Sequence, residues 1–333
     1  MKRFSVLHGR AARYGAAMAL VAQALVPLHP AVAQEPSKPI RLLVPFAPGG
    51  SQDIIGRYLA SQLATRLSTP MIVENKSGAG GVIAADAVVK APADGSTLLL
   101  ATGGAISIAP HLMPKLPYLA QQDLVPVAMV ADTPMVIAVR AQSSLRSLAE
   151  LLKTAKAEPG KLAYASTGTG TVSHLTGELL AQGAGVKLTH VPYRGAAPAV
   201  IDLISGNVDA IVTSAASIEP MVLSGKARVL GTFTKEPLHN LPGTPTVEQA
   251  TGLSGLAIPV WVGVMVSAKT PKAVVARLAE ETLKVCQLPE TRKRLQDAGA
   301  DVNCSGSQGF GQLIAEDSQR WAGVVKHGNI KSE

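Results

Sequence analysis

Only two cysteines, Cys286 and Cys304, occur in the 333 residues. That is too few for a disulfide-stapled scaffold, and no C-x-x-C pair exists. Aromatic residues make up 3% of the chain, and nine lie beyond residue 33. With no block of Lys/Arg beside them, they leave nothing for bases to stack on, so no nucleic-acid partner is expected. Beyond residue 33 the histidines are His111, His174, His190, His239 and His327. They form no H-x-H, H-E-x-x-H or i,i+4 pair, so no metal is expected. A G-x-S-x-G elbow is missing, as is the Gly-Lys-Ser/Thr of a phosphate loop. Gly168-Thr169-Gly170 is followed by Ser173 where a dinucleotide fingerprint needs a third glycine, so no cofactor is expected.

The first 33 residues differ from the rest. Lys2, Arg3, Arg10 and Arg13 precede an alanine-rich apolar stretch from Tyr14 to Leu28, and Ala31-Val32-Ala33 is a small-residue cleavage site. This pattern reads as a secretory signal peptide over residues 1–33, cleaved near Ala33, and the apolar run is too short for a membrane anchor. Export makes a disulfide between Cys286 and Cys304 permissible, and two buried free thiols are the competing reading. The formal charge of +8 includes those four basic residues and no acid before position 34, which leaves +4 for the remainder. So mild an excess tolerates anionic ligands without demanding them.

What is present is α/β. Apolar runs at 40–44, 70–74 and 97–100 alternate with helical spacing over 51–67 and 82–90. A second set repeats the layout: strands at 162–165, 188–191, 208–212 and 228–232, with helices at 145–156, 172–182, 196–204 and 218–223. Three helices close the chain at 271–285, 289–298 and 308–325. Such alternation predicts parallel sheets with right-handed crossovers. Asp132-Thr133-Pro134, between the apolar runs 125–130 and 135–139, reads either as a crossing between lobes or as a simple hairpin, and 258–266 reads as a returning strand. Ligands of such sheets bind beyond the carboxyl ends of the strands, where the loops 45–51, 101–105 and 166–171 fall.

Two of these loops carry the chemistry. Val44-Pro45-Phe46-Ala47-Pro48-Gly49-Gly50-Ser51 joins a strand to a helix start that has free N–H groups and a partial positive charge. Ser166-Thr167-Gly168-Thr169-Gly170-Thr171-Val172-Ser173-His174 packs hydroxyls and glycines before another helix, a donor array suited to a carboxylate. Alone, each also reads as an ordinary capped loop; as a facing pair they point to a ligand. His174 either lines the cleft or is a buried hydrogen-bonding residue, and Arg194 either meets a ligand carboxylate or is a solvated turn residue. Ser51, His174 and Asp209 can be drawn as a hydrolase triad, though their spacing does not demand it.

Taken in order, Val44 to Gly50 with Asp53 and Arg57, Val73 to Gly81, Asp94 to Leu99, Lys115 to Tyr118, Pro159 to Leu162, Gly168 to Thr171 with Ser173-His174-Leu175, His190 to Gly195, and Gly206 to Asp209 resemble the Bug (TctC-like) solute receptors of tripartite tricarboxylate transporters. The resemblance implies a type II periplasmic-binding-protein fold: two α/β lobes with a hinge and an interlobe ligand cleft. Lobe 1 would comprise 34–132 and 259–333, and lobe 2 would comprise 133–258. It implies a periplasmic, monomeric receptor, not an enzyme, that captures a small carboxylated solute for a two-component membrane permease. The expected ligand-binding residues are Phe46, Ala47, Gly50, Ser51, Thr102, Gly103, Thr167, Thr169, Gly170, Thr171, His174, Thr213 and Ser214. Two positions depart from the family pattern. Thr213-Ser214 stands where Asp-Asn is common, which disfavours an amino-acid ammonium, and Ala109 replaces an Asn. A ligand sensor feeding a membrane signalling protein and a secreted serine hydrolase using Ser51 or Ser173 are the alternative readings.

Overall fold

The apolar run Ile40–Val44 forms strand β1, in which Leu42, Leu43 and Val44 are all buried. Consecutive buried residues mean a strand covered on both faces. The computed structural model to which β1 belongs describes residues 38–258, 260–328 and 330; the leader read at residues 1–33 lies outside them. In chain order β1 is followed by α1 (Ser51–Leu67), β2 (Met71–Asn75), a 3-10 turn (Ala79–Gly81), α2 (Val82–Lys90), β3 (Thr97–Thr102), a π-helical turn (Gly104–Ile108), α3 (Ala109–Leu112), α4 (Ala120–Asp123) and β4 (Leu124–Asp132). The next stretch holds β5 (Met135–Arg140), α5 (Leu148–Ala157), β6 (Ala163–Ser166), α6 (Val172–Ala184), β7 (Thr189–Pro192), α7 (Ala196–Ser205), β8 (Ala210–Ser214), α8 (Ala215–Leu223), β9 (Ala227–Thr232) and α9 (Val247–Thr251). The chain ends with β10 (Trp261–Ser267), α10 (Lys272–Cys286), α11 (Pro289–Asp297), β11 (Asp301–Gly306) and α12 (Ser307–Gly328).

The strands form two sheets, one ordered β11-β4-β10-β3-β1-β2 and the other β7-β6-β8-β5-β9. This is the two-lobed α/β architecture expected from the sequence. The sheets are mixed, however, where the alternation of strands and helices predicts purely parallel ones. β1 runs parallel to β2 and β3, and β6 to β7 and β8. β10 runs antiparallel to β3 and β4, and β5 antiparallel to β8 and β9. The crossing explains the reversal. β10 starts at Trp261 and Val262, beside Asp132 and Thr102, where β4 and β3 finish. β5 starts at Met135 and Val136, beside Ser214 and Thr232, where β8 and β9 finish. A strand arriving from the other lobe therefore enters at the end where the ligand loops lie and runs away from them.

Two further differences bear on the site. The strand read at 208–212 is β8, Ala210–Ser214, so Thr213 and Ser214 are strand residues, and α8 follows without a loop. The helix read from 145 begins at Leu148, because the Ser147 side chain accepts the Glu150 N–H and caps it there. Cys286, the last residue of α10, is disulfide-bonded to Cys304 in β11. α12 belongs to both lobes: Phe310 and Ile314 pack with Leu99, Met129 and Trp261, whereas Trp321, Val324 and Val325 pack with Leu175, Tyr164 and Val212 of the second sheet's core.

Candidate functional site

Three helices begin at the cleft without a side-chain cap: α1 after Gly50, α7 after Gly195 and α8 after Ser214. Gly50, Gly195 and Ser214, the residues just before these helices, line a common cavity of about 50 Å³, together with Phe46, Ala47, Thr102, Thr167, Thr171, Thr213 and Ser217. Met135, Val172 and Val260 supply its apolar wall. Among the described residues no charged side chain lines it. Uncapped N–H groups and three helix dipole ends aimed at one space favour an anion, and they do so with neutral donors. Thr213 Oγ1 is fully buried at this wall and has no hydrogen-bond partner among the described residues.

The loop after β1 is held from behind. Asp53, buried in the first turn of α1, accepts hydrogen bonds from Gly49 N–H (3.0 Å), Arg57 Nε (3.0 Å) and Asn75 Nδ2 (2.8 Å). Asn75 also donates to the Phe46 carbonyl at 3.0 Å. Burial on its own raises the Asp53 carboxyl, but the Arg57, Gly49 and Asn75 hydrogen bonds outweigh it and hold the group below the usual carboxylate range. Across the cleft, Thr171 caps α6 by accepting the His174 N–H, and its own hydroxyl donates to Gly168 O at 2.7 Å. Ser173 Oγ accepts Thr167 N–H at 3.1 Å and donates to Val212 O at 2.6 Å.

The lobes touch. Ser51 Oγ lies 3.3 Å from Ser214 Oγ, which lies 2.8 Å from Ser217 Oγ, forming a hydroxyl chain that bridges the two sheets' loops. Gly80, at φ +63°, is pressed so closely on the second lobe that a Cβ there would lie 3.0 Å from the Gly170 carbonyl oxygen. Outside the inner cavity lies a second space of about 520 Å³, lined by Phe46, the 77–81 loop, Thr167, Thr169, Thr171 and Arg194. Arg194 is exposed there and, among the described residues, is the one charged residue of either lining.

Of the candidate residues, Phe46, Ala47, Gly50, Thr102, Thr167, Thr171, Thr213 and Ser214 line the inner cavity, and Thr169 lines the outer space. Ser51 reaches the cleft through Ser214. Gly103 and Gly170 line neither space: Gly103 faces Val172, Asp317 and Trp321, and Gly170 faces Leu112. His174 is the clearest departure. It sits behind the loop, with Nδ1 accepting Gly170 N–H at 3.2 Å and its ring stacked on His190 at a centroid distance of 3.8 Å. Burial lowers His174 to about 4; burial, with the neighbouring ring adding to it, lowers His190 to about 3. The paper triad does not assemble. Ser51 bonds to Ser214 and Gln52, while Asp209 accepts the Ala163 N–H.

Sequence reasoning passed over Gln52, Ser217, and Ala196 and Ala197 at the start of α7, all of which line the inner cavity. The Pro-Tyr-Arg-Gly turn signals a helix start at 196 but not the direction in which it points. Asn75 was visible as part of the Glu-Asn-Lys run, yet its role depends on a contact with Phe46, 29 residues away.

The chain is similar to known proteins in sequence and in fold. Residues 55–330 match the model of the tripartite tricarboxylate transporter family receptor, TctC. Protein BugT of Bordetella pertussis is 35% identical over 297 residues, covering 89% of this chain and 91% of that protein. Among solved structures, Rpa4515 of R. palustris with adipate superposes with a TM-score of 0.84 at 29% identity, covering 89% of this chain and 99% of that one. MatC of Rhodopseudomonas palustris with bound malate gives 0.81 at 31% identity, covering 87% and 100%. Proteins of this kind bind solutes and do not transform them, and by the extent of these matches the chain belongs to the tripartite tricarboxylate transporter receptor family.

Proposed function

We propose that the chain is a periplasmic receptor that captures a small carboxylated solute in the cleft and delivers it to a two-component membrane permease of the tripartite tricarboxylate type. In this reading residues 34–132 with 259–333 form one lobe and 133–258 the other, and residues 1–33 direct export and are removed. The observation that carries the proposal is the convergence of three uncapped helix starts on a cavity lined by hydroxyls and no charge. The carboxylate is received by backbone N–H groups near Gly50, Gly195 and Ser214, with Ser51, Thr102, Thr167 and Thr213 as hydroxyl donors and bridging waters completing the shell. The adipate and malate bound by the two structural relatives support a carboxylated solute. Closure then removes water and strengthens every polar contact within.

The test is a thermal-shift screen of mono-, di- and tricarboxylates, preceded by native mass spectrometry of protein purified from its own periplasm. A ligand bound only by the folded state stabilises it by about 2.7 kcal/mol at one hundred times Kd. A clear rise in Tm with one group of acids is the expected result. A folded protein that co-purifies with nothing and ignores every acid would contradict the proposal. Crosslinking of the acid-loaded receptor to membranes, and not of the free one, is the expected mark of delivery to a permease.

A further inference from the structure

The Ser166–Thr171 loop lines both spaces of the cleft, yet two of its backbone N–H groups are drawn away from the ligand, toward imidazoles behind it. Gly170 N–H is accepted by His174 Nδ1 at 3.2 Å. Gly168 N–H is accepted by Ser166 Oγ at 3.1 Å, and that oxygen lies 2.6 Å from His190 Nε2. Gly168 fills one acceptor position of that oxygen, and a Ser166 hydroxyl that gives its proton to His190 Nε2 completes the pattern. Both rings therefore present a lone pair to the loop. The hydrogen-bond network assigns the proton to Nε2 in His174 and to Nδ1 in His190. Stacking at 3.8 Å and 13° locks the two rings as one plate, and the Tyr164 ring lies 5.1 Å from His190.

We propose that His174 and His190 form a neutral pair of hydrogen-bond acceptors that positions the Ser166–Thr171 loop for its ligand, neither ring touching the ligand itself. This rests on the cleft being the ligand site. The alternative, that the rings only fill space, makes their lone pairs irrelevant. The groups facing the pair are few. Glu178 of α6 lies 3.9 Å from His174 Nε2, and the Tyr164 hydroxyl of β6 donates to the His174 carbonyl and to Glu178. Among the described residues no other ionisable group makes an ion pair or ring contact with either ring. Burial keeps both rings uncharged well below neutral pH, so the lone pairs stay available. A proton on His174 Nδ1 would set an N–H against the Gly170 N–H.

The discriminating variants are isosteres. Asn places its amide oxygen near the Nδ1 position, and Gln places its oxygen near Nε2. H174N and H190Q keep an acceptor in place, whereas H174F and H190F keep an aromatic ring and remove it. With adipate and malate as probes, we expect H174F and H190F to lose at least about tenfold in affinity, the cost of stranding a buried donor, and H174N and H190Q to stay within a few-fold of the parent. Should the Phe variants misfold, the ring nitrogens of the parent still decide. ¹⁵N spectra should show His174 as the Nε2–H tautomer and His190 as the Nδ1–H tautomer, both neutral from pH 8 to pH 5. The opposite tautomer, a charged ring in that range, or Phe variants that bind as well as the Asn and Gln variants would overturn the proposal. If neither acid binds the parent, an acid found by the thermal screen replaces them as the probe; if the screen finds none, the reading of the cleft fails instead. Amide exchange at Gly168 and Gly170 then tests the positioning: faster exchange in the Phe variants supports it, and unchanged exchange overturns it.

Discussion

Asp53 shows how one side chain shapes the first ligand loop. Its carboxylate ties Gly49 before the helix to Asn75 at the end of β2, and Asn75 in turn holds the Phe46 carbonyl. Because its folded-state pKa lies below the ordinary value, the folded protein binds fewer protons there than the unfolded chain. The stabilisation is complete above the unfolded pKa of about 4 and is lost as pH falls through the folded value. D53N should therefore cost about 1–3 kcal/mol at pH 7, the range of charge-assisted hydrogen bonds, and less at pH 3. Melting curves at the two pH values check this; an equal loss at both would show that the charge is not what holds the loop. Gly80 makes the complementary point from the closing side. At φ +63° and against the Gly170 carbonyl, an added methyl meets backbone and not a yielding side chain. G80A should weaken ligand binding several-fold by hindering closure, measured by calorimetry, and should lower Tm by less than the D53N change does.

Among the elements, α12 stands out because it joins the lobes. Its Phe310 and Ile314 are packed in the first lobe, and Trp321, fully buried, is packed in the second. W321A should cost about 3–5 kcal/mol, the range for deleting a large buried aromatic, and should broaden the distribution of interlobe angles seen by small-angle scattering. The disulfide acts within one lobe, fastening the end of α10 to β11 across 18 residues. Opening it with C286S and C304S should cost about 3 kcal/mol by loop-closure entropy while leaving ligand affinity nearly unchanged, since the bridge lies in neither lining. The helices and strands were legible because their periodicities and turn residues are local. A cap for α6 at Thr171 or Ser173 and the loops at the strand ends could be read in the same way, and the structure selects Thr171. What could not be read depended on neighbours distant in sequence. The reversal of β5 and β10 follows from where the chain crosses, and the α7 start is aimed into the cleft by tertiary packing. The His174–His190 stack joins residues of a helix and a strand whose proximity no local pattern encodes.

At the scale of the whole molecule, two lobes meet over a small cavity with hydroxyls set in a largely apolar wall, and hydroxyls are in contact across the gap at Ser51 and Ser214. Such a closed form is of use to a receptor if the ligand supplies what the cavity lacks, namely negative charge for three helix starts and a partner for Thr213. Family membership places the chain among solute receptors, and the proposed carboxylate reading adds to it a preference for charge that can be measured. The most direct measurement is calorimetric titration with an acid found by the thermal screen, set beside its primary amide of nearly equal size. Saturable one-to-one binding of the acid, with the amide weaker by about ten- to one-hundredfold, is the expected result, matching the loss of charge-assisted hydrogen bonds. An amide that binds as tightly as the acid would contradict the carboxylate-receptor reading.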